Sequence, residues 1–195
     1  MNALNIQWLQ WIAAGGDPAT WPLFAARAFA LWGAWACGIG LAWTAWRHRH
    51  HRPYMGVVVV GAVLMSLLSH AVAAHFNVQR PFVAGWVPAY IPHAASAATP
   101  STHATVMFFV AFALVLHRGL RWQGVVAFAL ACIVGWARIY VGVHFPLDIG
   151  GGLLLGAAAA VLLAGLWAVR PSGWARLGGG VGHRAPLAPA PARQP

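Results

Sequence analysis

The sequence carries very little charge, and nearly all of it is positive. Of its 195 residues only 7% are charged, none of the 12 basic residues is a lysine, and Asp17 and Asp148 are the only acidic ones. A soluble domain usually has about a quarter charged residues, whereas this chain is 61% hydrophobic with a mean hydropathy of +0.68. The shortage of charge excludes an ordinary soluble domain and predicts an integral membrane protein.

The shortage of carboxylates and cysteines restricts the chemistry as well. Magnesium, manganese and calcium are bound mainly through Asp and Glu oxygens, and one of the two acidic residues lies near the N-terminus. We therefore expect no metal and no other cofactor. Cys37 and Cys132 both fall within apolar runs, where a thiol is usually a small core residue, so neither a disulfide nor a catalytic thiol is predicted.

Long apolar runs are what the sequence has in abundance. A helix needs about 20 residues to cross a hydrocarbon core about 30 Å thick. Five runs approach or exceed that length: 22–46, 54–76, 100–117, 122–144 and 146–169. They predict an all-α fold, a polytopic transmembrane helical bundle with five to six membrane helices, the sixth being the N-terminal segment if it spans.

The segments around the apolar runs complete the predicted organisation. Residues 1–21 are expected to form an interfacial segment, with Trp8 and Trp11 at the level of the lipid headgroups. Residues 22–169 form the transmembrane domain. Residues 170–195 are rich in Pro, Gly and Ala without an apolar period, which predicts a disordered cytoplasmic tail.

The arginines predict how the bundle is oriented. RHRHHR at 47–52, HRGLR at 117–121 and the tail hold nine of the twelve arginines and lie on one side if each run crosses once. Cytoplasmic loops are enriched in basic residues, so that side is expected to be cytoplasmic. Because the arginines fall between apolar runs rather than along one polar face, nucleic-acid binding is not expected.

Polar side chains from distant parts of the sequence are expected to meet at the opposite, extracytoplasmic face. Arg80 follows the second run, His103 opens the third, Arg138 and His144 lie in the last turns of the fourth, and Asp148 opens the fifth. Ionisable groups at membrane depth are costly and mark functional sites by default. This convergence therefore predicts a site.

The local sequence at this face is suited to an anion. Thr99-Pro100-Ser101 predicts a helix start, with Thr99 as the cap and Pro100 at the first helical position. The free N–H groups near Ser101, Thr102 and His103 would then bind a phosphate oxygen, and two arginines add donors suited to phosphate.

The stretch ARIYVGVHFPLDIGGG at 137–152 predicts an activated histidine. Pro146 should interrupt the helix, which leaves His144 before the break and Asp148 in the first turn after it. A hydrogen bond from one ring nitrogen of His144 to Asp148 would keep the other nitrogen unprotonated and nucleophilic. A phosphohistidine cradled by arginines requires no metal.

Three motifs in order, RP at 80–81, PSTH at 100–103 and R-x5-H-x3-D at 138–148, resemble the signature of the type 2 phosphatidic acid phosphatase family over about residues 54–165. The flanking RPF, the PHAA-containing loop and WARIYVGVHFPLDIGGGLL are similar to bacterial undecaprenyl-diphosphatases within that family. The resemblance implies a multi-pass protein of the bacterial inner membrane whose extracytoplasmic site hydrolyses the terminal phosphate of undecaprenyl diphosphate.

The resemblance also implies roles for individual residues. His144 attacks phosphorus, Asp148 orients it, and His103 protonates the leaving oxygen. The phosphoryl group is held by Arg80, Arg138, Ser101, Pro100 and Thr102. The bilayer and a polyprenyl diphosphate or phospholipid are the expected partners. A phosphatidic acid or phosphatidylglycerophosphate phosphatase is the alternative enzyme, and a haem-binding or transport subunit is the alternative of another class.

The sequence departs from the family pattern at three positions. The lysine that normally begins the first motif is Ala73, the serine before the arginine of the third motif is Ala137, and the often acidic position 102 is Thr102. The lost lysine and serine would remove two phosphate contacts, which predicts slower turnover or a shifted substrate preference.

Overall fold

The computed structural model describes residues 3–169, so the predicted tail at 170–195 lies outside the described residues. All regular structure in this part of the chain is helical. The helices are α1 (Ala3–Ile12), α2 (Thr20–Arg47), α3 (Arg52–Phe76), α4 (Thr102–Leu116), α5 (Arg121–Tyr140) and α6 (Pro146–Ala168), with a 3₁₀ turn at Arg49–His51 between α2 and α3. The predicted all-α, polytopic membrane bundle is confirmed.

Four segments are long and apolar enough to cross a membrane: Thr20–Arg47, Arg49–Phe76, Arg121–Tyr140 and Pro146–Ala168. The third predicted span, at 100–117, corresponds to α4, which is a shorter apolar helix of 15 residues. It packs against α3, α5 and α6 and is buried on most of its surface. A helix that is apolar all round belongs in the interior, and α4 occupies the centre of the bundle.

Glycines allow α6 to approach α4 closely. A Cβ at Gly156 would lie 2.6 Å from the carbonyl oxygen of Thr105, and one at Gly152 would lie 2.9 Å from the amide nitrogen of the same residue. Small residues at helix crossings let backbones approach in membrane bundles. This packing fixes the position of the first turn of α6 beside the first turn of α4.

The basic turns lie together at one end of the bundle. The ring centroids of His51 and His117 are 4.7 Å apart, and the side chains of Gln123 and His48 are 3.2 Å apart. The α2–α3 and α4–α5 connections therefore share that end, while the 77–101 loop and the α5–α6 connection lie at the other. The assignment of the basic end to the cytoplasm stays a prediction.

Helix α1 packs on the end opposite the basic turns. Leu9 is fully buried in a cluster with Ile139 and Phe145, and the side-chain oxygen of Asn5 accepts a hydrogen bond from the amide of Leu147 at 3.1 Å. Asn5 therefore satisfies one of the free N–H groups in the first turn of α6. The interfacial position expected for residues 1–21 stays a prediction.

Candidate active site

The polar residues that the sequence assigns to the site come from separate connections at this end. Arg80 lies in the loop after α3, Ser101 and His103 at the start of α4, and Arg138 in the last turn of α5. His144 lies between α5 and α6, and Asp148 in the first turn of α6. The expectation that His144 ends a helix was wrong, because α5 stops at Tyr140 and Gly142 adopts a φ of +79°, which suits glycine at a helix end.

His144 and Asp148 form a buried pair, with His144 Nδ1 3.3 Å from Asp148 Oδ2. The same carboxylate oxygen accepts the amide of Phe145 at 2.8 Å, and the other oxygen accepts the hydroxyl of Thr99. Because Pro146 lies at the beginning of α6, the helix starts directly after Phe145, and the carboxylate turns back onto the chain that precedes it. Asp148 is thus held by three donors.

The neighbour of the other ring nitrogen fixes the tautomer of His144. Arg80 Nη1 lies 3.1 Å from His144 Nε2, and a guanidinium can only donate hydrogen bonds. Nε2 must therefore be the acceptor, which leaves the ring proton on Nδ1, where it is donated to Asp148. The unprotonated nitrogen points towards the arginine.

Burial reinforces this protonation state. Burial lowers the pKa of His144 to about 4, and the nearby arginines lower it further, although the hydrogen bond to Asp148 opposes the shift. The imidazole is therefore neutral at physiological pH. A neutral histidine with an unprotonated Nε2, here facing Arg80, is the form required of a nucleophile.

Both arginines are anchored by backbone carbonyls. Arg80 Nη1 donates to the carbonyl of Val143 at 3.0 Å, and its Nη2 donates to the carbonyl of Ala97 at 3.1 Å and to Ser96 Oγ at 3.2 Å. Arg138 is 3% exposed, and its Nη1 donates to the carbonyl of Ala30 on α2 at 3.2 Å. Such anchoring fixes the direction in which the remaining donors point.

Three donors of the site are buried without a hydrogen-bond partner within residues 3–169. They are Nε of Arg80, Nε of Arg138 and the hydroxyl of Ser101. Buried polar atoms are nearly always paired, and each exception requires an explanation. Two guanidinium N–H groups and a hydroxyl beside a neutral histidine are donors suited to the oxygens of a phosphoryl group.

The predicted start of α4 was wrong by two residues. The helix begins at Thr102 with Ser101 in the capping position, so Pro100 precedes the helix. Thr99 does not cap it, because its hydroxyl donates to Asp148. The amide of Ser101 also donates to the carbonyl of Asp148 at 3.0 Å, so this N–H is not free for an anion. These bonds join the start of α4 to that of α6.

The other two residues predicted at the start of α4 face a groove. Thr102 and His103 both line an apolar groove between α2, α3 and α4. The hydroxyl of Thr102 accepts a hydrogen bond from Ser69 of α3 at 3.0 Å. His103 interacts electrostatically with Arg138 and His144. His103 therefore lines the groove and is coupled electrostatically to the site.

Sequence reasoning gave Ser96 no role, took Thr99 only as a helix cap, and left His93 open between a surface residue and a lipid-headgroup contact. His93 Nε2 lies 2.9 Å from Arg138 Nη2, and the His93 and His144 ring centroids are 6.2 Å apart. The only signal was the PHAA stretch of the loop before PSTH.

Ala73, where the family has lysine, is buried in the last turn of α3. Among residues 3–169 no group of three or more side chains could hold a metal ion.

The fold and this cluster define a multi-pass membrane protein with a polar, arginine-lined site at one end of its bundle. The chain belongs to the PAP2 superfamily, whose family model matches residues 54–171. This confirms the resemblance drawn from the three motifs.

The chain is similar to several curated relatives. It is 37% identical over 107 residues to YbjG of Escherichia coli K12, provisionally named an undecaprenyl-diphosphatase, with 54% of each chain covered. It is 36% identical over 108 residues to the undecaprenyl-diphosphatase BcrC of Bacillus subtilis, covering 55% of this chain and 53% of BcrC. The matched region thus spans about half the length of these relatives.

Two solved structures share the architecture. Aquifex aeolicus LpxE superimposes with a TM-score of 0.67 at 25% identity, covering 83% of this chain and 95% of LpxE. The PAP2-type phosphatidylglycerolphosphate phosphatase of Bacillus subtilis superimposes with a TM-score of 0.66 at 20% identity, covering 88% and 90%. The second likeness concerns the fold alone.

Proposed function

We propose that the protein is a membrane lipid phosphatase that hydrolyses the terminal phosphate of undecaprenyl diphosphate. The observation that carries the proposal is the chain of contacts Arg80–His144–Asp148, which fixes an unprotonated Nε2 beside guanidinium donors. The names of the matched relatives support the choice of a polyprenyl diphosphate. An inner-membrane location with the site on the extracytoplasmic side completes the proposal.

The geometry supports a two-step transfer. Nε2 of His144 forms a bond to the terminal phosphorus while the bond from phosphorus to the bridging oxygen breaks. The negative charge of the bound diphosphate favours the protonated form of His103, which gives its proton to that oxygen as the lipid monophosphate leaves. Water then attacks the phosphohistidine, its proton passes to His103, and orthophosphate is released. Arg80, Arg138 and Ser101 bind the phosphoryl oxygens, which gain charge as transfer proceeds. No step requires a metal.

The groove between α2, α3 and α4 supports a lipid substrate. It has a volume of about 760 Å³ and begins at Thr102 and His103 beside the site. Its walls are apolar, with Gly38 of α2 and Gly56 of α3 among the lining residues, and it extends to Arg52 near the basic end. A hydrocarbon chain attached to a phosphoryl group at His144 would leave the site along this groove.

A phosphate-release assay in excess chelator tests the proposal. We expect the purified protein to release phosphate from undecaprenyl diphosphate faster than from phosphatidic acid or phosphatidylglycerophosphate. The His144→Ala variant should release none, because no other group replaces the nucleophile. Wild-type rates from His144→Ala, or activity that disappears with chelator, would contradict the mechanism. Faster phosphate release from either phospholipid would instead identify the protein as a phosphatidic acid or phosphatidylglycerophosphate phosphatase.

A further inference from the structure

The 77–101 loop carries a third imidazole, that of His93, into the site. His93 Nε2 lies 2.9 Å from Arg138 Nη2, and its ring stands at 82° to that of His144 with centroids 6.2 Å apart. The other hydrogen bond of Arg138 goes to the carbonyl of Ala30 on α2. We propose that His93 is a positioning residue: as a neutral imidazole it accepts a hydrogen bond from Arg138 and holds that guanidinium towards the phosphoryl site. The inference rests on the proposed function.

Hydrogen-bond chemistry determines the state of His93. Arg138 can only donate, so Nε2 of His93 must be the acceptor. His93 Nδ1 lies 3.0 Å from the carbonyl of Ala94, which can only accept, so the ring proton is on Nδ1. Both ring nitrogens are therefore used, and the ring is neutral. A protonated His93 could not accept from Arg138 and would place a second cation against it.

The loop holds His93 firmly enough to serve this role. Arg27 of α2 donates to the carbonyl of Tyr90 at 2.7 Å, and the amide of Tyr90 donates to the carbonyl of Val141 at 3.0 Å. The hydroxyl of Tyr90 donates to the carbonyl of Gly15 at 2.5 Å. Three separate parts of the chain thus fix the backbone three residues before His93.

Arg138 needs a contact of this kind. It is a long side chain at the end of α5, and holding it in one rotamer is entropically costly. Nη1 is held by the carbonyl of Ala30, Nη2 by His93, and Nε is buried without a partner in the described structure. With both ends of the guanidinium held, Nε–H keeps a fixed direction. Loss of His93 would release one end.

The charges around His93 favour the neutral state. Burial lowers its pKa below the ordinary value, and Arg80 and Arg138 lower it further, against the effect of the hydrogen bond to Ala94. His103 of α4 and His144 of the α5–α6 connection are the other titratable groups that interact with it. The neutral form therefore persists to a pH below the usual histidine range.

His93→Ala and His93→Gln test the inference, with His70→Ala as the control. His70 is an exposed histidine of α3 whose ring contacts the carbonyl of Ser66 in its own helix. We expect His93→Ala to lower kcat/KM by about tenfold, which is typical of losing one hydrogen bond to a charged group. His93→Gln should recover most of the loss, because its amide oxygen can accept from Arg138.

The pH profile separates positioning from a purely structural role. Wild-type kcat/KM should fall as the pH falls through the pKa of His93, because protonation removes the acceptor. Gln does not titrate, so the acid limb that belongs to His93 should be missing from the profile of His93→Gln. Coincident acid limbs, or His93→Gln as impaired as His93→Ala, would overturn the inference.

Binding of inorganic phosphate to the full-length protein in detergent provides a readout that needs no turnover. We expect His93→Ala to weaken this binding by about tenfold and His70→Ala to leave it unchanged. If no lipid is hydrolysed but phosphate binding depends on His93, the proposed function fails and the inference stands. If lipid is hydrolysed and His93→Ala matches the wild type in both assays, the inference fails alone.

Discussion

At the scale of single residues, the carboxylate of Asp148 is the most constrained group of the site. Its oxygens accept from the His144 ring, from the amide of Phe145 and from the hydroxyl of Thr99. All three interactions require acceptor oxygens, and one of them determines which nitrogen of His144 carries the proton. A substitution that keeps the shape of Asp148 but changes its hydrogen bonding therefore tests the mechanism.

Asp148→Asn should reduce kcat by about three to four orders of magnitude, as expected when an orienting carboxylate becomes an amide and the wrong histidine tautomer is favoured. The amide NH₂ can face His144 only if Nδ1 becomes the acceptor, which places the proton on Nε2 against Arg80. Stopped assays of phosphate release measure the change. Thr99→Val is the matched control, because it removes one donor to Asp148 and leaves the His144 bond intact. Equal, small losses in both variants would contradict the assigned role.

Sequence reasoning was most successful where contacts are local. The Pro146 break and the spacing from His144 to Asp148 predict their contact. A residue just before a helix start and a residue in the first turn of that helix lie close together in space. The contacts of Arg138 with Ala30 and His93 were not predicted. They depend on how α2 and the 77–101 loop pack against α5, which no short motif encodes. Thr99 was predicted as a cap, but a partner 49 residues away binds its hydroxyl.

At the scale of elements, helices α2 and α3 contact each other little and leave the apolar groove between them. The groove is lined along α3 from Arg52 to Ser66, which corresponds to about 21 Å at the helical rise of about 1.5 Å per residue. Bonds of about 1.5 Å at tetrahedral angles advance an extended chain by about 1.3 Å per carbon. The groove therefore accommodates about 16 backbone carbons, the length of four isoprene units.

Gly38→Leu should obstruct the groove, whereas Gly40→Leu should not. Both glycines lie on α2 with nothing within 4 Å of a Cβ, but only Gly38 lines the groove. We expect Gly38→Leu to reduce kcat/KM for geranylgeranyl diphosphate, which has four isoprene units, by about tenfold. A loss of this size corresponds to one buried apolar contact between the substrate chain and the groove. Turnover of the one-unit dimethylallyl diphosphate should be unchanged. Equal effects of both variants, or an equal loss on both substrates, would show that the chain lies elsewhere.

At the scale of the whole molecule, the bundle has two chemically different ends. One carries the turns with Arg47, Arg49, Arg52, Arg118 and Arg121. The other carries the 77–101 loop, the α5–α6 connection and α1. The span lengths and apolar faces were predictable from hydropathy, because any helix that crosses a membrane must be long and apolar enough for the hydrocarbon core. Hydropathy could not show that α4 is short and central, because its burial against other helices depends on tertiary packing.

Labelling with a membrane-impermeant maleimide in intact bacterial cells tests the orientation. Ala95 in the 77–101 loop and Arg118 in the α4–α5 turn are both exposed. After Cys37 and Cys132 are replaced by alanine, a single cysteine can be introduced at either position. Because basic turns are retained on the cytoplasmic side, we expect Ala95→Cys to react in intact cells and Arg118→Cys to react only after permeabilisation. The reverse pattern would place the site in the cytoplasm and exclude a role on externally exposed lipid diphosphates. Phosphate release from both variants provides the control for correct folding.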